Sequence, residues 1–263
     1  MARLLFTLAS LLILLPSTRV QAKEVVIRWH GQSFFEIISP EGLRIVLDPH
    51  AIEEYGRNSV QADLILMSHF HNDHTQVGVV ENASKVRQIN ALKKVERPGA
   101  VPTETWNLVD EKIKDVHIRT VGTYHDTMAG LKRGKNGIWI LEMAGLRIVH
   151  LGDLGHVLRR SQVRQIGPVD VLLIPIGGVY TINGLDAQRV CEQLKPRRYI
   201  LPMHYGTDVY DALLDLDKSL FLDDQEIGKV QKFPTTNELK IDPEAPVPEE
   251  PTIAILYWKK RGS

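Results

Sequence analysis

From Lys23 onward, short runs of β-branched and aromatic residues alternate with turns, the spacing of strands more than of helices. Residues 24–31 (EVVIRWHG), 33–38 (SFFEII) and 43–49 (LRIVLDP) read as three successive strands. Ser-Pro-Glu-Gly at 39–42 supplies the turn between the last two. Residues 62–69 (ADLILMSH) stay apolar without alternation, which predicts a strand covered on both faces. Residues 76–95 have the composition of a helix. Strand character returns at 115–125, 137–145 and 146–153, with Ala144-Gly145 as the hairpin between the last two. Residues 169–178 (VDVLLIPIGG) form another buried strand. A helix follows near 186–194, with Asp186 as its N-cap. Residues 197–206 repeat the pattern of a strand running into a polar loop, and 208–232 read as mostly helical. A proline-rich acidic connection at 241–251 precedes a last strand, 252–258. No repeat or linker divides the chain, so the pattern predicts one layered α/β (α+β) domain over residues 23–263.

The first 22 residues depart from this pattern. Arg3 precedes an apolar run from Leu4 to Leu15, Pro16 breaks it, and the stretch ends Val20-Gln21-Ala22. A basic residue, a short apolar core and a small terminal residue predict a signal peptide over 1–22, and hence a periplasmic or secreted protein. The run is shorter than the about 20 residues a spanning helix needs, so no stable membrane span is expected after cleavage.

Composition narrows the partners. Lys+Arg and Asp+Glu are both 32, and no basic stripe with interleaved aromatics appears, so nucleic acid is not an expected partner and a small-molecule substrate is. The single cysteine, Cys191, excludes an intrachain disulfide and reads as a small buried hydrophobe.

The chemistry collects in SHFHNDHT, residues 68–75. Histidine is scarce, at 10 of 263 residues, yet three fall here beside an aspartate. In extended chain His69 and His71 point to the same side and can share one ion. Asp73 and His74 follow on the turn and can address a second. At a frequency of roughly 5% per required residue, H-x-H-x-D-H arises by chance about once in several hundred chains of this length. Three further strand-like runs end at His125, Asp153 and His204. Imidazole and carboxylate suit zinc, with manganese or iron as alternatives. Two such ions would supply hydroxide at neutral pH and stabilise an oxyanion.

With these motifs the chain resembles the metallo-β-lactamase superfamily of metal-dependent hydrolases, over residues 25 to 210 or so. The closest-looking branch contains ascorbate-6-phosphate lactonase and N-acyl-phosphatidylethanolamine phospholipase D type enzymes. The segments pointing there are WHG at 29–31, LDP at 47–49, YHD at 124–126, HLGDLGH at 150–156, IPIGGVYT at 174–181 and LPMHYGT at 201–207. The resemblance implies an αββα sandwich with two divalent ions at one edge, between the sheets. It implies His69, His71 and His125 on the first ion, Asp73, His74 and His204 on the second, and Asp153 bridging both. Asp73 and Asp153 are the carboxylates it places in catalysis. Gln32 departs from the pattern, since relatives often read Gly-His-Ser there. A histidine contact to substrate is therefore missing, or His30 takes its place.

Neighbouring residues carry lesser expectations. Asp48 could orient the metal-binding loop through hydrogen bonds, or simply cap the turn before Pro49. Asp126 and His156 could contact substrate. Arg133 could meet an anionic group, or lie solvated in its glycine-rich loop. Gly177-Gly178 could allow close backbone approach or just make a turn. The expected activity is hydrolysis of a small ester, lactone or phosphodiester by an exported dinuclear enzyme. The alternatives are a β-lactamase in the strict sense, or an exported metal-binding protein without turnover. A di-iron redox protein would need flavin or rubredoxin domains for which the chain has no room.

Overall fold

A computed structural model describes residues 24–56 and 59–258; the leader expected over 1–22 lies outside them. Strands β1 (Val25–Trp29), β2 (Phe35–Ile38) and β3 (Arg44–Leu47) form an antiparallel meander. Beyond it β4 (Leu64–Met67) and β5 (Arg87–Asn90) continue in parallel. A small ribbon of β6 (Leu92–Val95) and β7 (Thr103–Trp106) leads to the second sheet. There β8 (Asp110–Ile113), β9 (Val116–Tyr124), β10 (Lys135–Met143) and β11 (Leu146–His150) run antiparallel. Helices α1 (Arg160–Ile166) and α2 (Gly184–Leu194) make the crossovers to β12 (Val171–Pro175) and β13 (Tyr199–Met203), which pair in parallel. The chain ends in β14 (Lys229–Phe233), β15 (Glu238–Ile241) and β16 (Thr252–Leu256).

The resulting sheets have the orders β15-β1-β2-β3-β4-β5 and β14-β16-β13-β12-β11-β10-β9-β8. Their facing sides share one core, in which Ile27, Phe35, Ile45 and Leu66 of the first sheet join Ile118, Ile138 and Ile148 of the second. Each such side chain stabilises the fold by roughly 1.5–3 kcal/mol. Phe34, Val46, Ile65 and Met67 point the other way, into a second cluster closed by Val79 and Val80. That is why 62–69 lacks alternation: β4 is buried on both faces. The α/β sandwich is therefore the expected one, with few helices.

Two helix expectations are overturned. Residues 76–95 form single 3-10 turns at Val77–Val79 and Ala83–Lys85, then β5 and β6. β-Branched residues at 77, 79, 80 and 86, with Gly78 among them, disfavour a helix there. Residues 208–232 are mostly turns. Asp215 Oδ1 accepts from the Lys218 amide, and Leu220 and Asp224 take positive φ values of 60° and 43°, so aspartates bond locally instead of supporting a helix. The N-cap of α2 is Asn183, whose side chain accepts from the Asp186 amide at 2.8 Å; Asp186 lies in the first turn. The hairpin at Ala144-Gly145 is present, with both residues at positive φ. Cys191 is buried in α2, and burial pushes its thiol far above the usual range.

Candidate metal centre

Strands that lie side by side in parallel end at one edge of the sandwich, and there the polar residues gather. The turn after β3 carries Asp48, and β4 runs out through Ser68 to His69. A single 3-10 turn, Asn72–His74, then brings Asp73 and His74 back toward the sheet, with His71 at its start. His125 follows β9, Asp153 follows β11, and His204 follows β13. The structure brings these seven residues into two adjoining groups, His69 with His71 and His125, and Asp73 with His74, Asp153 and His204. Within each group the donor atoms lie within 4.8 Å of one another.

Asp153 joins the two groups. Its Oδ2 lies 3.1 Å from His125 Nε2, 3.2 Å from both His74 Nε2 and His204 Nε2, and 3.9 Å from His69 Nε2. Burial would push this carboxyl up, but His204, His74 and His125 outweigh it and hold Asp153 well below the usual carboxylate range. Asp73 is likewise held low: against the upward push of burial, His74 and His204 dominate.

The surrounding hydrogen bonds settle which ring nitrogens carry lone pairs. Asp48, fully buried, accepts from the Ser68 amide and the Ser68 hydroxyl, both at 2.6 Å, and from His74 Nδ1 at 2.9 Å. Because Ser68 gives its only hydroxyl proton to Asp48, its oxygen must accept from His69 Nδ1, 2.9 Å away. Both imidazoles thus carry a proton on Nδ1, which leaves Nε2 as the atom each can offer to a metal ion. These two Nε2 atoms are buried without a hydrogen-bond partner. Lone pairs facing a carboxylate oxygen repel unless a positive charge lies between them. Although burial lowers its affinity for a proton, Asp153 and Asp48 raise the His74 pKa well above the imidazole range. A proton and a metal ion compete for that same position. The donor set, imidazole nitrogen and carboxylate oxygen with two orphaned buried nitrogens, fits divalent ions.

Asp48 accepts three hydrogen bonds, two from Ser68 and one from the His74 ring. The other candidate residues make contacts of their own. The His30 ring packs on Phe34 at 4.7 Å, lies 3.7 Å from Glu36 Oε2 and belongs to neither ligand group. Asp126 accepts backbone N–H groups from Met128, Gly130, Lys132 and Arg133 at 2.7–2.9 Å, which ties its carboxylate to folding its own loop. His156 accepts from the Tyr124 amide at 3.2 Å and donates through Nδ1 to the Val157 carbonyl at 2.9 Å, leaving neither nitrogen for substrate. Arg133 is neither solvated alone nor against an anion. Its guanidinium lies 4.8 Å over the Tyr180 ring and donates to the Val179 carbonyl, joining two loops. A Cβ at Gly177 would collide with the His204 carbonyl oxygen, so close approach explains that glycine; Gly178, at φ 69°, makes the turn.

Three participants escaped the sequence reading. Ser68 stood inside the quoted cluster and passed as part of a strand. Asn136 stands between Lys135 and Gly137 at the start of β10, where a turn-like run gives no local sign of a buried amide. Its Oδ1 accepts from the Asp153 amide at 3.0 Å, and its Nδ2 donates to Thr123 and the Leu151 carbonyl. Gln32, noted only as a departure, donates from Nε2 to Asp73 Oδ2 at 3.3 Å.

A two-sheet sandwich with paired histidine–carboxylate groups where its strands end is the architecture of the metallo-β-lactamase superfamily. Residues 26–204 match the model described as "Beta-lactamase superfamily domain", and the chain belongs to this family, as a metal-dependent hydrolase. A "UPF0173 metal-dependent hydrolase" of Thermococcus onnurineus is 30% identical over 194 residues, covering 70% of this chain and 85% of that one. The crystal structure of a protein from Thermotoga maritima, assigned to the Zn-dependent hydrolases of the superfamily, is 33% identical. It covers 88% of this chain and 97% of its own, with a TM-score of 0.59. A metal-dependent hydrolase of Parabacteroides distasonis shares the fold at 22% identity and a TM-score of 0.53, over 71% of this chain and 86% of that one.

Proposed function

We propose that this chain is a dinuclear hydrolase, with zinc as the working metal, acting on a small ester, lactone or phosphodiester. The observation that carries the reading is Asp153, whose single oxygen Oδ2 has four imidazole Nε2 atoms around it, drawn from both groups. A carboxylate so placed is suited to bridging two ions. His69, His71 and His125 would hold one ion, and Asp73, His74 and His204 the other. Zinc is favoured by the nitrogen-rich donor set and by the description of the Thermotoga maritima relative.

When bound, the ions supply Lewis acidity and a hydroxide nucleophile at neutral pH. The chain's own residues fix where that chemistry happens. Asp48 and Ser68 hold His74 and His69 in the Nδ1–H tautomer, keeping both Nε2 lone pairs directed inward. Asn136 fixes the backbone at Asp153. Asp73, partly open to solvent and held low by His74 and His204, would stay an anionic ligand of the second ion through turnover.

Within the superfamily, the lactonase and phospholipase D type branch remains our substrate proposal, supported by the sequence motifs at 47–49, 124–126, 150–156 and 201–207. Export is proposed on the basic, apolar and small-residue pattern of residues 1–22, and the mass of the chain recovered from a cell envelope fraction tests it. Metal analysis of the purified chain, with a screen of lactones, phosphodiesters and β-lactams, tests the central reading. Two equivalents of zinc and hydrolysis abolished by chelation support it. Trace metal under replete conditions with no chelator-sensitive turnover would overturn it.

A further inference from the structure

The turn between β1 and β2 is short, yet it reaches three of the four residues in the second group. The Gln32 carbonyl accepts from the His204 amide at 3.2 Å and from Trp29 Nε1 at 3.0 Å. The Gln32 side chain meets Asp73, and the Ser33 hydroxyl lies 3.5 Å from Asp153 Oδ1. Gln32 holds a positive φ of 49° to do this, and it is 2% exposed. A long polar side chain is ordinarily driven to the surface, so such burial in a left-handed backbone needs a local reason.

The amide orientation follows from its neighbour. Turned the other way, Oε1 would face Asp73 Oδ2, acceptor against acceptor, so Nε2 must be the end that faces the carboxylate. That leaves Oε1 buried with no hydrogen-bond partner. An amide that accepts an unpaired oxygen in order to donate from its nitrogen is being held for what the nitrogen does.

We infer that Gln32 is a positioning residue for the second metal site: its Nε2–H fixes the Asp73 carboxylate, so that Asp73 meets the ion preorganised. This rests on the dinuclear reading. Asp73 is half-buried in its 3-10 turn, with exposed Asn72 before it, unlike the enclosed His74 and Asp153, so it is the member of its group with most freedom to lose. Fixing it from the β1–β2 turn of the same sheet lowers the ordering cost of binding the ion. The same turn fixes the His204 backbone through the Gln32 carbonyl, which any side-chain substitution leaves in place.

Zinc titration of the full chain, read by calorimetry, tests this. Gln32→Met keeps the length and the carbonyl and removes the donor. The expected result is one equivalent bound as in the parent and the other bound about 10–100-fold more weakly. In an Asp73→Ala background, Gln32→Met should cause no further loss, because the partner through which it acts is gone. Unchanged affinity for both equivalents overturns the inference. So does additivity with Asp73→Ala, or equal weakening of both equivalents with a lowered Tm, which would mark a purely structural role. If the parent chain itself binds fewer than two equivalents, the dinuclear reading has failed, and the inference falls with it.

Discussion

Asp48 accepts the Nδ1 proton of His74 across 2.9 Å, and both side chains are fully buried. The same carboxylate also holds Ser68, and through it His69, so one residue outside the ligand groups sets ring orientation in both. Asp48→Asn tolerates the backbone φ of 47° and keeps the shape, but it removes the charge that binds the His74 proton. Zinc affinity should fall by about 10–100-fold. Metal-free stability, measured by urea unfolding, should fall by about 1–3 kcal/mol, because a buried donor loses its anionic acceptor. An Asp48→Asn protein that binds zinc like the parent would reduce Asp48 to a turn residue.

Asp153→Ala removes the one oxygen shared by the two groups. Hydrolysis of any substrate found for the parent should fall to background, and bound zinc should drop below two equivalents by mass spectrometry under native conditions. If full metal loading survives, each group holds its ion independently and the bridge is not needed.

The strand frame was legible because β-branched runs and turn residues mark it directly, as at 39–42 and 144–145. The helix expectations at 76–95 and 208–232 failed where composition was read without the backbone preferences of Val, Gly and Asp. At the site, His69 to His74 announced themselves by density, whereas His125, Asp153 and His204 emerged from their shared position after strands. What stayed hidden was pairing across long separations. Nothing local in the chain says that Asp48 meets His74, 26 residues on, or that Gln32 meets Asp73, 41 residues on. Asp126 and His156 sit beside candidate ligands in sequence, but Asp126 uses its carboxylate on the backbone of its own loop and His156 ties that of Val157 to that of Tyr124, 32 residues earlier.

Metal should be part of the stability of the fold. His69 and His74 each bury an Nε2 without a hydrogen-bond partner, an arrangement that only a cation relieves in both at once. Thermal unfolding followed by circular dichroism should show a lower Tm after chelation, restored by zinc. With free zinc at 100 times its Kd, one site adds about 2.7 kcal/mol. An identical Tm with chelator and with zinc would contradict both the metal reading and this account of the orphaned nitrogens.

His50 gives a pH dependence whose sign is fixed. Burial pushes its pKa down from 6.5 to about 4, only partly opposed by its bonds to the Gly31 and His30 carbonyls. The native state thus keeps the ring neutral while the unfolded chain protonates it. Above pH 6.5 both states are neutral and the full stability is present. As pH falls from 6.5 toward 4, the unfolded state alone takes up the proton and stability is lost, up to roughly 3 kcal/mol. Burial moves His69 and His150 in the same direction, so the informative quantity is the difference between the parent and His50→Gln. Urea unfolding at intervals from pH 7 to 4, with chelator present so that metal release does not contribute, should give the parent the steeper slope. Parallel slopes would mean that His50 is protonated in the native state and that the turn carrying Gln32 rests on other contacts.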